Sequence, residues 1–270
     1  MRVRNGRVAR RSAVVAVMAL LMAAARPSAQ FEKTISATFD GWNKLPDGSY
    51  ELVFGYMNRN ADPIEVPLGS GNQVDPAPAD RGQPTSFLPG RQRNAFRIHV
   101  PAGFKGKYVW TLTYAGLTQT ATASIDQNYS LDVGDPEPPT IKAPAEATAK
   151  VNQPVKLTPT VGAAPRPAVD PSADIVARRA GTAPITVWWS KFRGPGTITF
   201  GDGPRTAAAN PAARNREQPL GSFRVTCTNP PAADCGATSA RFSEPGTYMI
   251  RIVAAERSAA NTLMKVVVTP

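Results

Sequence analysis

Apolar and polar residues alternate along several short stretches of this chain, and this two-residue period constrains its fold more than any other feature. Successive side chains of a β-strand point to opposite faces, so an alternating stretch predicts a strand with one buried face. In the N-terminal half the apolar positions are Ile35, Ala37, Phe39; Tyr50, Leu52, Phe54, Tyr56; Phe96, Ile98, Val100; and Tyr108, Trp110, Leu112, Tyr114. No segment after residue 30 carries a convincing helical stripe.

The C-terminal half has the same period. Its apolar positions are Val155, Leu157; Ile185, Val187, Trp188, Trp189; Ile198, Phe200; Tyr248, Ile250, Ile252; and residues 263–268. Turn residues separate the stretches, as at Pro46, Asp47 and Gly48, where proline presets one turn dihedral and glycine accepts a positive one. Short strands separated by such turns predict an all-β chain of antiparallel β-sandwiches.

A proline-rich stretch divides the chain. Residues 134–148 hold few large apolar side chains, and such composition favours a semi-rigid extended linker. The sequence on either side is long enough to bury a core of its own. We therefore predict one sandwich domain in residues 31–133 and a second in residues 149–270.

The first 29 residues are typical of a secretory signal peptide. Five arginines precede an uncharged apolar run over residues 12–25, and small residues follow it. This run is shorter than the roughly 20 residues of a membrane-spanning helix. We predict Sec export, cleavage after Ala29, and a periplasmic or secreted protein. Cleavage after Ala25 and a twin-arginine signal at Arg10 and Arg11 are the alternatives.

Much of the positive net charge of the chain lies in the predicted leader. The leader holds six arginines and no acid, so the net charge falls from +11 to +5 on cleavage. A small excess spread over the mature chain differs from the concentrated basic footprint of a nucleic-acid binder. We expect no nucleic-acid partner.

Cys227 and Cys235 are the two cysteines of the chain, and they flank a short proline-containing loop. In an exported protein such a pair predicts a disulfide bond. A redox-active pair would need a two-residue separation and a helix that lowers one thiol pKa. We expect the bond to contribute roughly 2–3 kcal/mol and to rigidify an insertion over residues 201–239.

Two segments of the C-terminal half resemble the PKD-like branch of the immunoglobulin-like sandwiches: residues 189–200 (WSKFRGPGTITF) and 240–248 (ARFSEPGTY). The resemblance implies that Trp189 anchors the core from a central strand and that Tyr248 follows a turn into another strand. It also implies spacer, adhesion or sugar-contact modules without catalysis. The insertion over residues 201–239 departs from the family pattern, and Gly201 and Asp202 lack its usual aromatic lead.

The N-terminal half resembles uncharacterised exported bacterial β domains, a likeness that implies no chemistry. The predicted fold class is therefore all-β, with two immunoglobulin-like antiparallel β-sandwich domains in tandem after a cleaved signal peptide.

Residues suited to catalysis or metal binding are sparse. His99 is the single histidine, and it alternates with Ile98 and Val100, so we predict that it faces solvent. One histidine cannot build a multi-histidine metal site, and any serine triad would have to form around it. The sequence contains no nucleophile elbow, phosphate-binding glycine loop or zinc-protease motif. We predict no catalytic residue, cofactor site or metal site.

Oxygen ligands for calcium are the remaining metal chemistry. Asn58, Asn60 and Asp62 have the alternating rhythm of a calcium loop, without the glycine and terminal glutamate of an EF-hand. Asp75, Asp80 and Asp202 also lie in loops. We interpret these residues as turn formers.

Two tryptophans are candidate stacking platforms for a ligand. Trp42 is out of phase with Phe39 and would face outward on an unbroken strand, unless Gly41 marks a bulge that returns it to the core. Trp188 is adjacent to Trp189, so one of the two rings must face away from the core.

The functional expectation is a non-catalytic, exported interaction, adhesion or spacer module of the bacterial cell envelope, with a protein or polysaccharide partner. The first alternative is a pair of carbohydrate-binding modules. A more distant alternative is a hydrolase with its site at the insertion over residues 201–239.

We expect the exported protein to begin at Gln30 and to carry the Cys227–Cys235 bond. Intact-mass spectrometry after secretion, with and without alkylation in the absence of reductant, measures both features. A species that retains residues 1–29, or one that takes up two alkyl groups, would contradict the corresponding expectation.

Overall fold

The computed structural model describes residues 34–125, 129–131, 137–165, 184–201 and 221–270. The predicted leader, Asp202 and much of the predicted insertion lie outside these ranges. Within them every regular element is a β-strand, and no helix suited to crossing a bilayer is found there. The predicted all-β fold class is confirmed.

Eight strands are described in the N-terminal half: β1 (Ile35–Lys44), β2 (Tyr50–Asn58), β3 (Ile64–Glu65), β4 (Asn72–Asp75), β5 (Ser86–Phe87), β6 (Gly90–Val100), β7 (Tyr108–Tyr114) and β8 (Leu117–Ala123). They form one sheet in the order β1-β2-β6, a second in the order β4-β7-β8, and the short pair β3-β5. The two larger sheets enclose a single core.

Aromatic residues fill that core because the alternating positions of β2, β6 and β7 all point inward. Trp110 is fully buried, and its ring packs edge-on against Phe54 and Phe96 at centroid distances of 6.1 and 4.9 Å. The Trp110 indole N–H donates to Asn72 Oδ1 at 3.0 Å, so its polar atom is satisfied inside the core.

A bulge in β1 decides the orientation of Trp42. The pairing of β1 with β2 shifts between Phe39 and Gly41, and Gly41 has a φ of 139°, which favours glycine. The shift returns Trp42 to the edge of the core, where its ring meets Tyr50 at 5.5 Å.

Ten strands are described in the C-terminal half: β9 (Thr140–Lys142), β10 (Glu146–Lys150), β11 (Val155–Leu157), β12 (Thr160–Gly162), β13 (Ile185–Arg193), β14 (Ile198–Phe200), β15 (Ser222–Cys227), β16 (Thr238–Phe242), β17 (Gly246–Ala255) and β18 (Ala259–Thr269). One sheet has the order β10-β18-β17-β13-β15 and the other the order β11-β16-β14. Strands β9 and β12 pair separately.

The pairing is that of an immunoglobulin-like sandwich. Strand β10 lies parallel to the last strand, β18, while the remaining neighbours are antiparallel. Near the start of β17 the Tyr248 hydroxyl donates to the Glu244 carbonyl at 3.0 Å, which is the tyrosine corner typical of such folds. The structure thus confirms an immunoglobulin-like module here.

Strands occur within the range that the sequence predicts as a linker. Residues 134–148 include all of β9 and the first part of β10. Five residue pairs join β10 to β18, so this edge belongs to the five-stranded sheet. The division into two independent domains stays a prediction.

Strand β13 separates the two adjacent tryptophans as its period requires. Trp189 is fully buried in the C-terminal core, near Phe200 at 6.2 Å, and its indole N–H donates to the Gly236 carbonyl at 2.8 Å. Trp188 lies on the opposite face and is partly exposed.

We expect Trp189→Ala to lower the free energy of unfolding by about 3–5 kcal/mol, because it empties a large volume of a closed core. Trp188→Ala on the opposite face is the matched control and should cost much less. Urea unfolding of both variants, followed by far-UV circular dichroism, measures the difference. A larger loss for Trp188→Ala would contradict the packing described here.

Candidate functional site

The outer face of the five-stranded sheet is covered by the N-terminal sandwich. Phe192 of β13 is 3% exposed and belongs to the N-terminal core, and Met249 of β17 packs against the same core. Both side chains lie on the sheet face opposite Trp189. Strand β13 therefore contributes to two cores, one on each face.

Polar contacts reinforce this junction. Arg193 makes a bidentate pair with Asp80, at 2.7 and 3.0 Å, and its Nε donates to the Gln83 carbonyl at 2.7 Å. The guanidinium of Arg193 lowers the pKa of the Asp80 carboxyl. The Thr85 amide donates to the Phe192 carbonyl at 3.0 Å, and Lys191 pairs with Glu65 at 3.1 Å. These contacts hold the two sandwiches in one relative position.

A cavity of about 610 Å³ lies beside the junction, where the two sandwiches separate. Strand register explains its floor: Trp188 is opposite Val253, Ser190 is opposite Arg251, and Asn261 is opposite Val253 across the next strand pair. These residues share the outer face of the sheet. Its wall comes from β1, β2 and β6 of the N-terminal sandwich, through residues such as Val53 and Gln92.

Arg251 is the most unusual residue of the cavity, because it is a buried cation at 8% exposure. Its Nη2 donates to the carbonyls of Arg93 and Asn94, at 2.9 Å each. Its Nε has no hydrogen-bond partner. Burial lowers the pKa of the Arg251 guanidinium. None of the carboxylates described in the structure lies within 4.0 Å ion-pair distance of it.

Asp40 is the carboxylate in the described lining of the cavity, and its oxygens are occupied. It pairs with Arg91 at 2.5 Å, accepts from the Asn94 amide at 2.8 Å, and accepts from the Thr38 hydroxyl at 3.3 Å. A Cβ at position 55 would overlap this carboxylate, so Gly55 makes room for it. Asp40 thus organises the sheet bulges instead of facing a ligand.

The two candidate stacking rings lie in different places. Trp188 lines the cavity, and the Arg224 guanidinium carbon lies 5.6 Å from its ring centroid. Trp42 is outside the described lining and packs against Tyr50. Stacking of a ligand on either ring remains a prediction.

The predicted Cys227–Cys235 disulfide is confirmed, with a Cα–Cα distance of 5.6 Å. Both cysteines are buried in the C-terminal core. The bond closes the segment after β15, and the next residue, Gly236, accepts the Trp189 hydrogen bond. Most of residues 201–239 before β15 lie outside the described ranges, so the hydrolase alternative at the insertion stays untested.

His99 is exposed, as its alternation predicts, and it has polar neighbours. The Ser49 hydroxyl donates to Asp47 Oδ1 at 2.6 Å, and His99 Nε2 lies 2.8 Å from the same hydroxyl oxygen. The hydrogen bonds from Ser49 lower the pKa of Asp47. Because the single hydroxyl proton goes to Asp47, the serine has none to give to His99. This order differs from a nucleophilic triad, in which the carboxylate orients the histidine.

The asparagines of the calcium-like stretch build a turn. Asn58 is buried and donates to the Phe87 carbonyl at 2.8 Å, while its Oδ1 accepts from the Asn60 amide at 2.8 Å. Asp80 pairs with Arg193 across the junction. Among the described residues, no three His, Cys, Asp or Glu side chains are grouped to hold a metal ion.

Sequence reasoning missed Phe192, Arg193 and Arg251, although two signals were present. The run ITVWWSKFR in β13 places large apolar residues on both faces, which is typical of a strand covered on both sides. Arg251 interrupts the otherwise uncharged run of β17.

No protein-family model matches the chain, and no curated protein matches it. Among solved structures, the tandem Ig repeats of Dlar share 13% identity over 87% of this chain and 97% of that chain, with a TM-score of 0.30. The D00-D0 domain of intimin shares 13% over 87% and 100%, with a TM-score of 0.26. Domains 4 and 5 of the S-layer protein SbsC share 12% over 63% and 69%, also at 0.26. These TM-scores are below 0.5, and it is the strand pairing of the chain that defines its immunoglobulin-like fold.

We expect Phe192→Ala to destabilise the N-terminal core, although Phe192 belongs to a strand of the C-terminal sandwich. Loss of this ring opens a cavity, and the expected cost is about 3–5 kcal/mol. Phe200→Ala, in the C-terminal core, is the matched control. Hydrogen exchange with mass spectrometry should show lost protection in β2 and β6 for Phe192→Ala and none there for Phe200→Ala. Unchanged protection of β2 and β6 in Phe192→Ala would contradict the shared strand.

Proposed function

We propose that this chain is an exported, non-catalytic interaction module that binds its ligand in the cavity between the two sandwiches. The observation that supports this proposal is the cavity itself, of about 610 Å³, with walls from both sandwiches. Its volume lies within the roughly 300–1,000 Å³ of small-ligand sites. The Phe192 and Arg193 contacts join the two sandwiches that form its walls, and such preorganisation lowers the entropic cost of binding.

The residues of the cavity favour binding over catalysis. Its described lining contains no histidine, cysteine or lysine. Its carboxylate, Asp40, is already paired with Arg91. The serines of the lining would need a general base to act as nucleophiles, and general acid–base catalysis needs a titratable group within reach of the reacting atoms.

The proposed place of action is the bacterial cell envelope or the medium. The arginine-rich leader supports export by the Sec route with cleavage after Ala29. The Cys227–Cys235 bond supports an oxidising compartment. We also propose that residues 31–133 and 149–270 are separate domains and that the second belongs to the PKD-like branch. The partner in this proposal is a protein or polysaccharide of the envelope.

The composition of the cavity lining favours a carbohydrate as the ligand. Trp188 lines the cavity together with the amide side chains of Asn43, Gln92 and Asn261. A pyranose ring offers an apolar C–H face to an aromatic ring and hydroxyl groups to amides, so this combination suits a sugar.

We expect the mature protein to bind one or more members of a panel of immobilised envelope and plant polysaccharides. Trp188→Ala should weaken that binding at least about tenfold, a loss on the order of 1.4 kcal/mol. Tyr129→Ala is the matched control, because Tyr129 is 61% exposed and outside the described lining of the cavity. Biolayer interferometry measures both. Equal binding by wild type and Trp188→Ala would overturn the proposed site.

A further inference from the structure

We infer that the ligand of the cavity is anionic, and specifically an acidic saccharide whose ring carboxylate is held by Arg251 and Arg93. This inference deepens the proposed function above and rests on it. The charge of the lining and the burial of Arg251 indicate the chemical class of the ligand, which the shape of the cavity alone does not.

The charge balance of the described lining is strongly positive. Its cations are Arg93, Arg97, Arg251 and Arg257, and its carboxylate is Asp40. Asp40 is neutralised by Arg91, which lies outside the lining. Arg97 pairs with Glu51 at 2.6 Å. Arg93, Arg251 and Arg257 have no ion pair with any carboxylate described in the structure.

Arg251 is the residue that points to a ligand. A buried cation opposes folding, and Arg251 has no ion pair with any carboxylate described in the structure. The guanidinium has five N–H donors, and carbonyl oxygens occupy two directions at Nη2 while Nε is unpaired. A ligand carboxylate in the cavity would supply the missing counter-charge.

The contacts of Arg251 also orient it. Its two carbonyl acceptors belong to Arg93 and Asn94 of β6, which carries the opposite wall of the cavity. Asn261 Nδ2 donates to the same Asn94 carbonyl at 3.1 Å. The guanidinium is thus held between the two sandwiches, and the exposed side chain of Arg93 lines the same cavity.

The rest of the lining favours a sugar as the carrier of the anion. Trp188 and Val253 offer apolar surface, while Gln92 and Asn43 offer neutral hydrogen-bonding groups. An acidic sugar ring presents C–H, hydroxyl and carboxylate groups together. A fatty acid would leave the amides without partners, and burying unpaired amides is costly.

Isothermal titration calorimetry of the mature protein with polygalacturonate tests the inference, and fully methyl-esterified polygalacturonate is the neutral match. Arg251→Met should weaken binding of the acidic polymer at least about tenfold. Arg241→Met removes the same charge from an exposed site outside the described lining, and it should change binding less than about twofold. All titrations use about 0.15 M salt, which screens diffuse attraction.

Arg93→Met keeps the test valid if Arg251→Met fails to fold. The side chain of Arg93 is exposed, while its contact with Arg251 uses the backbone carbonyl. This variant should fold normally and bind polygalacturonate several-fold more weakly. Normal binding by both Arg93→Met and Arg251→Met would overturn the inference.

The other outcomes separate the inference from the proposed function. Equal binding of the acidic and methyl-esterified polymers overturns the anionic ligand. If the protein binds dextran sulfate but not polygalacturonate, the inference that a carboxylate is the recognised group is overturned. Binding of neutral dextran that is lost in Trp188→Ala but kept in Arg251→Met overturns the inference alone and leaves the cavity as the binding site. Binding that no cavity variant changes overturns the proposed function as well.

Discussion

The structure depends on one strand that is buried on both faces. Strand β13 places Trp189 in the C-terminal core and Phe192 in the N-terminal core. An apolar ring that fills another sandwich's core cannot return to solvent without opening a cavity there. The two sandwiches are therefore coupled through the side-chain packing of β13.

The cavity is a direct consequence of this coupling. Where Phe192 and Met249 meet the N-terminal core, the two surfaces are in contact. Further along the same sheet face Arg251 donates to two carbonyls of β6, and the cavity lies beside Arg251 and Trp188. The cavity thus lies between two surfaces whose relative position is set by packing at Phe192 and Met249. The cost of the buried Arg251 falls at this place, which agrees with our proposal that stability is given up here for recognition.

Much of the architecture was predictable from local pattern. The alternating positions located β1, β2, β6 and β7, and the adjacent tryptophans of β13 implied one ring on each face. The possible bulge at Gly41 and the Cys227–Cys235 bond also follow from short-range features, because turn dihedrals and loop closure depend on neighbouring residues. Strand β10 was missed, because its residues look like linker until β18 pairs with them.

The candidate site could be predicted only in part. The sequence by itself determined the class of fold, the disulfide and the presence of Trp188 on an outer face, since each depends on residues close together in the chain. Only the tertiary structure decided what covers that face. Arg193 meets Gln83 across 110 residues, and Arg251 meets Arg93 across 158. Contacts at such separations depend on how two finished surfaces fit, and no local period in the sequence records that fit.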